Sequence, residues 1–205
     1  MFQSRVIFLG RTIDGFTKST KEESIQKVRN IREPTDATAM RCTVKRVRKF
    51  LGPCGHFRAF IKDYAKISRP LTKLTLKDVK ILWTTELQES FDLLKAKITQ
   101  NPVLTLPDFD KPFILTRDAS DLGTGAVLSQ KLNEKEQAIG YHSYTFNKAE
   151  QNSTTSEKEM LAALKAVHYF RTYLDGRKFF LHTDHSALKR MPQVGKGPAG
   201  ISVQP

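Results

Sequence analysis

The sequence predicts an α+β or α/β fold built from two parts that differ in charge and in periodicity. Residues 1–100 carry 21 Lys or Arg against 10 Asp or Glu, whereas residues 101–205 carry 13 against 11. In the first part apolar residues recur every three or four positions, which is typical of helices. In the second part strand-like stretches precede a helix and another strand, which predicts a mixed sheet with helices packed on it.

Helices dominate the expected first part. Thr20 and Glu23 have the spacing of a capping box at the start of a helix over 20–32. A second helix, from about Thr43, is expected to end at Gly52-Pro53, because proline removes a backbone donor and clashes with the preceding turn. The other expected elements are a short strand at 5–10 and helical stretches at 56–67, 71–76 and 86–100.

The second part is expected to form a sheet with one long helix. Thr154 and Glu157 give this helix a capping box. Its predicted apolar stripe consists of Met160, Ala163, Leu164, Val167, Phe170 and Leu174. The expected strands are 112–118, 124–131, 137–145 and 178–183, and the helix covers 154–174.

The predicted organisation is two domains and a tail. The basic helical domain covers residues 1–101 and the α/β domain covers 103–191. Residues 192–205 contain three Gly, three Pro and few large apolar side chains, so this tail is predicted to be disordered.

Charge and cysteine content limit the classes of function. A formal net charge of +13 favours a polyanionic partner such as nucleic acid, with solubility alone as the alternative. Cys42 and Cys54 form neither a disulfide framework nor a zinc-finger pattern, so a reducing intracellular compartment, cytoplasmic or nuclear, is expected. The apolar run Val6-Ile-Phe-Leu9 is far too short to cross a membrane, and no membrane partner is expected.

Three acidic residues stand at the ends of predicted elements. Asp118 and Asp184 each end a strand, and Glu159 lies on the flank of the helical stripe. Each has a simpler explanation, as a turn former, a helix cap or a solvent-facing charge. If they converge, their mutual repulsion favours a divalent cation, and carboxylate oxygens favour Mg²⁺. Two such ions could activate water at a phosphodiester.

Several motifs around these acids occur in one order. They are Asp118-Ala-Ser, Gly123-x-Gly-Ala-Val-Leu-Ser-Gln130, Phe146-Asn-Lys-Ala-Glu-Gln-Asn152, Glu157-Lys-Glu159, Tyr173-Leu-x-Gly-Arg-Lys178 and Thr183-Asp-His-x-x-Leu188. Together they resemble the ribonuclease H domain of gypsy-class LTR-retrotransposon Pol polyproteins. Phe8-Leu-Gly10 resembles the end of the reverse-transcriptase palm, and Val47-Arg-Lys-Phe-Leu-Gly52 resembles the thumb-like connection after it.

The resemblance implies a fragment of a retrovirus-like reverse transcriptase with an RNase H-like domain. It implies that Asp118, Glu159 and Asp184 are catalytic, metal-binding carboxylates that use Mg²⁺, with Mn²⁺ as an alternative ion. The implied substrate is the RNA strand of an RNA–DNA hybrid, and the implied partner is the remainder of a Pol polyprotein. The expected nucleic-acid-binding residues are Lys45, Arg46, Arg48, Lys49 and Arg58.

The chain departs from the family pattern in ways that keep two functions open. No Asp or Glu follows Asp184, and no Tyr-x-Asp-Asp polymerase motif is present, so the RNase H-like domain is expected to be C-terminally truncated. Tyr144 and Asn152 stand where the family has Arg and Tyr. The alternatives are Mg²⁺-dependent hydrolysis of hybrid RNA and a catalytically inactive nucleic-acid-binding remnant. A helical DNA-binding regulator would explain only the basic helices.

Overall fold

The computed structural model describes residues 5–8, 11–31, 40–76, 82–100, 102–183 and 201–204. The chain forms two compact units, Met1–Val103 and Leu104–Pro205. Each unit has its own cluster of buried apolar side chains. None of the helices in the described ranges is both long enough and apolar enough to cross a membrane.

The first unit combines a small antiparallel sheet with four helices. Strands β1 (Arg5–Phe8), β2 (Arg11–Asp14) and β3 (Thr17–Thr20) form a meander. Gly15 adopts a φ of +54° in the turn between β2 and β3, a conformation that suits glycine. The helices are α1 (Glu22–Arg29), α2 (Met40–His56), α3 (Tyr64–Lys73) and α4 (Thr85–Thr99), with a 3₁₀ turn at Arg58–Phe60.

Side chains from all four helices fill the core of this unit. The Phe50 and Phe91 rings lie 4.3 Å apart between α2 and α4. The helix predicted at 86–100 is α4, and its residues Leu87, Phe91, Leu94 and Ile98 are all buried. Their spacing of three and four residues places them on one side of α4.

The second unit is a five-stranded mixed sheet with helices packed on it, and this confirms the predicted fold class. Its central strands are antiparallel, while β8 runs parallel to β5 and β9 runs parallel to β8. The strand order is β7-β6-β5-β8-β9. After β4 (Val103–Thr105), the elements are β5 (Phe113–Ser120), β6 (Gly123–Leu132), β7 (Lys135–Thr145), α5 (Lys148–Gln151), α6 (Thr155–Tyr169), α7 (Arg171–Leu174), β8 (Phe179–His182) and β9 (Ile201–Gln204).

Proline does not end the helices where the sequence predicts. Helix α2 continues through Pro53 to His56, and α3 contains Pro70. Proline removes one backbone hydrogen bond, but the buried side chains of Phe50 and Cys54 lie on both sides of Pro53. Tertiary packing therefore outweighs the local break. The stretch predicted as one helix over 56–67 instead divides into the 3₁₀ turn and α3.

Two predicted helix starts have different outcomes. The capping box at Thr154 is confirmed, because its hydroxyl accepts from the Glu157 N–H and the Glu157 carboxylate accepts from the Thr154 N–H. The capping box at Thr20 is wrong. Lys21 occupies the N-cap position of α1 without a side-chain cap, and the Glu23 carboxylate instead binds the Lys21 ammonium at 2.6 Å.

The apolar stripe of α6 and the tail also differ from expectation. Met160 and Leu164 are exposed, because the buried face of α6 is formed by Ala162, Ala163 and Ala166, which lets the helix approach the sheet closely. Within the tail predicted to be disordered, Ile201–Gln204 form β9 against β8. Its alternating apolar and polar residues fit an edge strand. The rest of that tail lies outside the described residues.

Candidate functional site

Strand β5 carries a charged residue on each of its two faces near its end. Phe113 and Leu115 belong to the core formed with α6, and Arg117 follows at the next position with the same orientation. Arg117 is buried and Asp118 is exposed. Because successive side chains in a strand point to opposite faces, Asp118 lies on the face turned away from Arg117.

The buried guanidinium of Arg117 links three segments of the second unit. It forms an ion pair with Glu159 of α6, and it donates a hydrogen bond to the hydroxyl of Thr183, directly after β8. The Arg117 side chain is 1% exposed and that of Glu159 is 13% exposed. Glu159 therefore lies at the junction of helix and sheet, as predicted, but its carboxylate contacts an arginine.

The third predicted carboxylate, Asp184, lies outside the described residues. It follows Thr183 in the chain, and the parallel register of β5 and β8 extends to Thr116 opposite His182. Among the described residues, no group of three or more His, Cys, Asp and Glu side chains could hold a metal ion. Asp118 lies on β5 and Glu159 on α6, which packs against β5, while the third residue of the predicted ligand set lies outside the described ranges.

The described residues do not fit the divalent ion that the resemblance implies. A Mg²⁺ bound through the Glu159 oxygen that Arg117 contacts would lie within about 5 Å of the guanidinium. At an effective dielectric constant of about 20, the repulsion between these charges is about 7 kcal/mol. Arg117 already supplies the positive charge that Glu159 needs, and Asp118 faces the other side of the strand.

Two further acidic residues of this unit have structural functions. The backbone N–H of Asn147 binds the Glu150 carboxylate, and the backbone N–H of Thr154 binds that of Glu157. These hydrogen bonds favour the charged forms and hold the pKa of both carboxyls below its usual range. Tyr144 also donates to Glu150. Capping therefore explains Glu150 and Glu157 but not Glu159.

A second functional feature is the strong positive charge of α2 and the segments after it. Residues 40–76 contain ten Lys or Arg and a single acidic residue, Asp63. Val47, Phe50 and Cys54 form the buried side of α2. The predicted binding residues on the other side are exposed at Lys45, Arg48 and Lys49 and half-buried at Arg46, and Arg58 is exposed in the 3₁₀ turn.

One residue on this basic side, Arg48, is held by a hydrogen bond. Arg48 donates to the backbone carbonyl oxygen of Thr75 at 2.9 Å, which orients its guanidinium. Lys45, Lys49 and Arg58 remain exposed. We call these three residues the basic face. Its dense positive charge is suited to phosphate groups.

The chain matches known proteins along most of its length. Residues 83–181 match the model of the RNase H-like domain found in reverse transcriptase. The chain carries an RNase H-like domain of the reverse-transcriptase family. The matched residues include strands β5, β6 and β7, helix α6 and most of β8.

Polyproteins of transposons are similar in sequence to this chain. It is 36% identical over 189 residues to the retrovirus-related Pol polyprotein from transposon 412 of Drosophila melanogaster, and these residues are 91% of the chain. It is 45% identical over 146 residues, 71% of the chain, to that from transposon 297 of the same species. It is 37% identical over 191 residues, again 91% of the chain, to the Tf2-3 polyprotein of Schizosaccharomyces pombe. The chain spans 15%, 13% and 14% of the lengths of these relatives.

Solved structures with the RNase H-like fold are also similar. The structure of the foamy viral protease-reverse transcriptase in complex with dsDNA has a TM-score of 0.77 and 18% sequence identity. The alignment covers 100% of this chain and 46% of the foamy viral chain. The same enzyme in complex with RNA/DNA hybrid aligns with 98% and 29%, at a TM-score of 0.74 and 19% identity. At these identities the likeness establishes the fold.

Sequence reasoning missed Arg117 in the RNase H-like domain. A signal was present, because Arg117 shares strand parity with the core positions Phe113 and Leu115. An arginine at a core position requires a buried counter-ion, and Glu159 was the acidic residue predicted at the same junction.

Proposed function

We propose that this chain binds nucleic acid duplexes, RNA–DNA hybrid in particular, as part of a retrotransposon Pol polyprotein. The observation that carries this proposal is the concentration of ten basic residues and one acidic residue within 40–76. The two similar foamy viral structures are complexes with dsDNA and with RNA/DNA hybrid, which supports the same class of ligand here.

Contacts to the phosphate backbone would dominate this binding. Lys45, Lys49 and Arg58 present charges that no buried packing requires, so their removal leaves the core intact. Phosphate contacts position a protein on a duplex without reading its sequence. Discrimination of hybrid from DNA would depend on the A-like helix shape and on 2′-hydroxyl groups.

Salt dependence tests the proposal directly. Four phosphate contacts, for the basic face together with Arg48, predict a slope of about −3.6 for the logarithm of the association constant against the logarithm of salt concentration. Affinity should then fall by about 150-fold between 50 and 200 mM salt. Fluorescence anisotropy with a labelled hybrid, in buffer without Mg²⁺, measures this slope. Binding that is absent or insensitive to salt would refute the proposal.

A triple variant locates the binding surface. Replacing Lys45, Lys49 and Arg58 by Gln should reduce the steepness of the slope by about three, since each lost contact removes about one counter-ion. The matched control replaces three exposed lysines of the second unit by Gln and keeps the same change in net charge. The control positions are Lys131, Lys135 and Lys148. Equal losses in the two variants would show that net charge, rather than the basic face, sets the affinity.

Hydrolysis of the RNA strand is the second candidate function. The Arg117 contacts place the helix bearing Glu159 close to Thr183, the residue before Asp184, and hydrolysis requires this proximity together with opening of the Arg117–Glu159 ion pair. In this candidate Asp118, Glu159 and Asp184 bind Mg²⁺ or Mn²⁺. A Mg²⁺-dependent product from labelled hybrid, lost in Asp118→Asn, would support it. Without such a product the chain remains a binding module.

A further inference from the structure

A buried arginine lies where the implied metal site would need a cation. Arg117 contacts Glu159 and Thr183, and its side chain is 1% exposed. We propose that this guanidinium takes the place of a divalent ion at Glu159, so that the carboxylates do not bind Mg²⁺ while the ion pair is intact. The proposal goes beyond duplex binding and involves none of the basic-face residues.

Burial makes the exchange of Arg117 for a metal ion unfavourable. The guanidinium contacts one oxygen of Glu159, Oε2, and a metal ion on either oxygen of this carboxylate would lie close to the positive charge of Arg117. Arg117 would then keep its charge inside the second unit but lose the Glu159 carboxylate, because arginine stays protonated in proteins. Loss of one partner from a buried ion pair is destabilising. A metal ion must therefore disrupt the Arg117–Glu159 ion pair in order to bind Glu159.

The position of Arg117 in the sheet keeps it in place. Strand β5 lies between β6 and β8, and Arg117 is paired with Ala126 of β6. Its neighbour of the same orientation, Leu115, is fully buried. The hydrogen bond to Thr183 holds the guanidinium from a second side. Movement of Arg117 to solvent would break both polar contacts.

The orientation of Asp118 also disfavours a metal site that includes both Asp118 and Glu159. Asp118 is exposed on the opposite face of β5, and the Thr124 hydroxyl donates to its backbone oxygen at 2.9 Å, which fixes the strand at this point. The two described carboxylates thus lie on different sides of the same strand. A metal site that joined them would require both a new orientation of β5 and the release of Arg117.

Substitution of Arg117 tests the proposal in the full chain. Arg117→Met removes the charge and keeps an unbranched apolar stem, whereas Arg117→Lys keeps the charge. Isothermal titration with MgCl₂ and, separately, MnCl₂ measures the ion itself, without any need for activity. Arg117→Met should bind the ion at least about tenfold more tightly than the wild type, a free-energy gain of about 1.4 kcal/mol. Arg117→Lys should bind no more tightly than the wild type.

A double variant assigns the gained binding to the right carboxylate. In Arg117→Met with Glu159→Gln, the gained affinity should disappear, because the ligand oxygen has lost its charge. Saturable Mg²⁺ binding by the wild type that Glu159→Gln abolishes would overturn the proposal. So would a folded Arg117→Met variant that binds no more ion than the wild type.

The wild type alone provides a test if Arg117→Met does not fold. Mn²⁺ broadens the amide NMR signals of nearby residues, and those of Asp118 and Glu159 should broaden no more than that of the exposed Glu134, in the turn between β6 and β7. Selective broadening at Glu159 would overturn the proposal. Hybrid binding without Mg²⁺ is measured on the same sample, so a failure of duplex binding is distinguished from a failure of this inference.

Discussion

The ion pair between Arg117 and Glu159 predicts a large stability coupling within the second unit. The perturbation is Glu159→Ala, which leaves the guanidinium of Arg117 without its carboxylate. The Arg117 side chain is 1% exposed, so water compensates little of the lost charge. Removal of one partner from a buried ion pair costs about 3–5 kcal/mol, and the 13% exposure of Glu159 places the expected loss near the lower limit, about 3 kcal/mol.

The reverse substitution should cost less. In Arg117→Met the charge that remains is that of Glu159, which is the more exposed partner and can recruit some water. We expect a loss of about 2 kcal/mol. The double variant, Arg117→Met with Glu159→Ala, removes both charges, so its loss should be smaller than the sum of the single losses by about 1.5 kcal/mol or more.

Native-state hydrogen exchange is the suitable assay, because it reports each unit separately. The amides of Leu115 and Leu181 lie in the core strands β5 and β8 and report the free energy of unfolding of the second unit. The control is Glu157→Ala in the same helical turn. Glu157 is exposed and acts through its capping box, so a loss of about 1 kcal/mol is expected. Additive single losses, or a loss at Glu159 no larger than that control, would refute the argument from burial.

Two predictions concern other parts of the fold. Burial and the nearby Arg11 lower the pKa of Lys18 from 10.5 to about 8, so between these values the unfolded chain binds the extra proton. The free energy of unfolding, followed by Trp83 fluorescence in urea, should therefore rise from pH 8 to 9. Above pH 9 the Cys54 thiol, whose pKa burial raises from 9.0 to about 12, acts in the opposite direction. Lys18→Met should remove the rise between pH 8 and 9, and a rise that persists would refute this. A Cβ on Gly123 would overlap the Tyr144 carbonyl oxygen, so Gly123→Ala should cost about 1–3 kcal/mol in the same exchange assay. Gly52→Ala, where a Cβ meets nothing within 4 Å, should be neutral or stabilising, and equal losses at both glycines would contradict this reasoning.

Periodicity predicted the elements that have one clear buried face. Helix α4 and strands β5, β6 and β7 occur close to the expected positions, because their apolar residues recur with the period of the element. Local breaking signals were less informative. Pro53 and Pro70 lie inside helices, since the residues around them are held by contacts that a local pattern does not contain.

The candidate site was predictable as a list of acids but not as an arrangement. The capping box separates Glu157 from Glu159 from sequence alone, and the structure agrees, because Glu157 binds the Thr154 N–H. The pairing of Glu159 with Arg117 was not predicted. It joins positions 42 residues apart in the chain, and only the packing of α6 on β5 brings them together. Nothing in either local pattern specifies that contact.

The two proposed properties, duplex binding and the exclusion of a metal ion from Glu159, depend on different residues. Similarity to the family therefore does not imply that both functions of the family are present. Duplex binding, as proposed, would depend on exposed charges between residues 40 and 76, in the first unit. Hydrolysis would depend on carboxylates of the second unit, one of which has an arginine as its counter-ion. If Arg117 fills the position of a cation as proposed, metal binding is lost while the sheet, the helices and the basic face are unchanged. A sequence can therefore keep the motifs and the fold of an RNase H-like domain while its carboxylates neutralise a side chain instead of a metal ion.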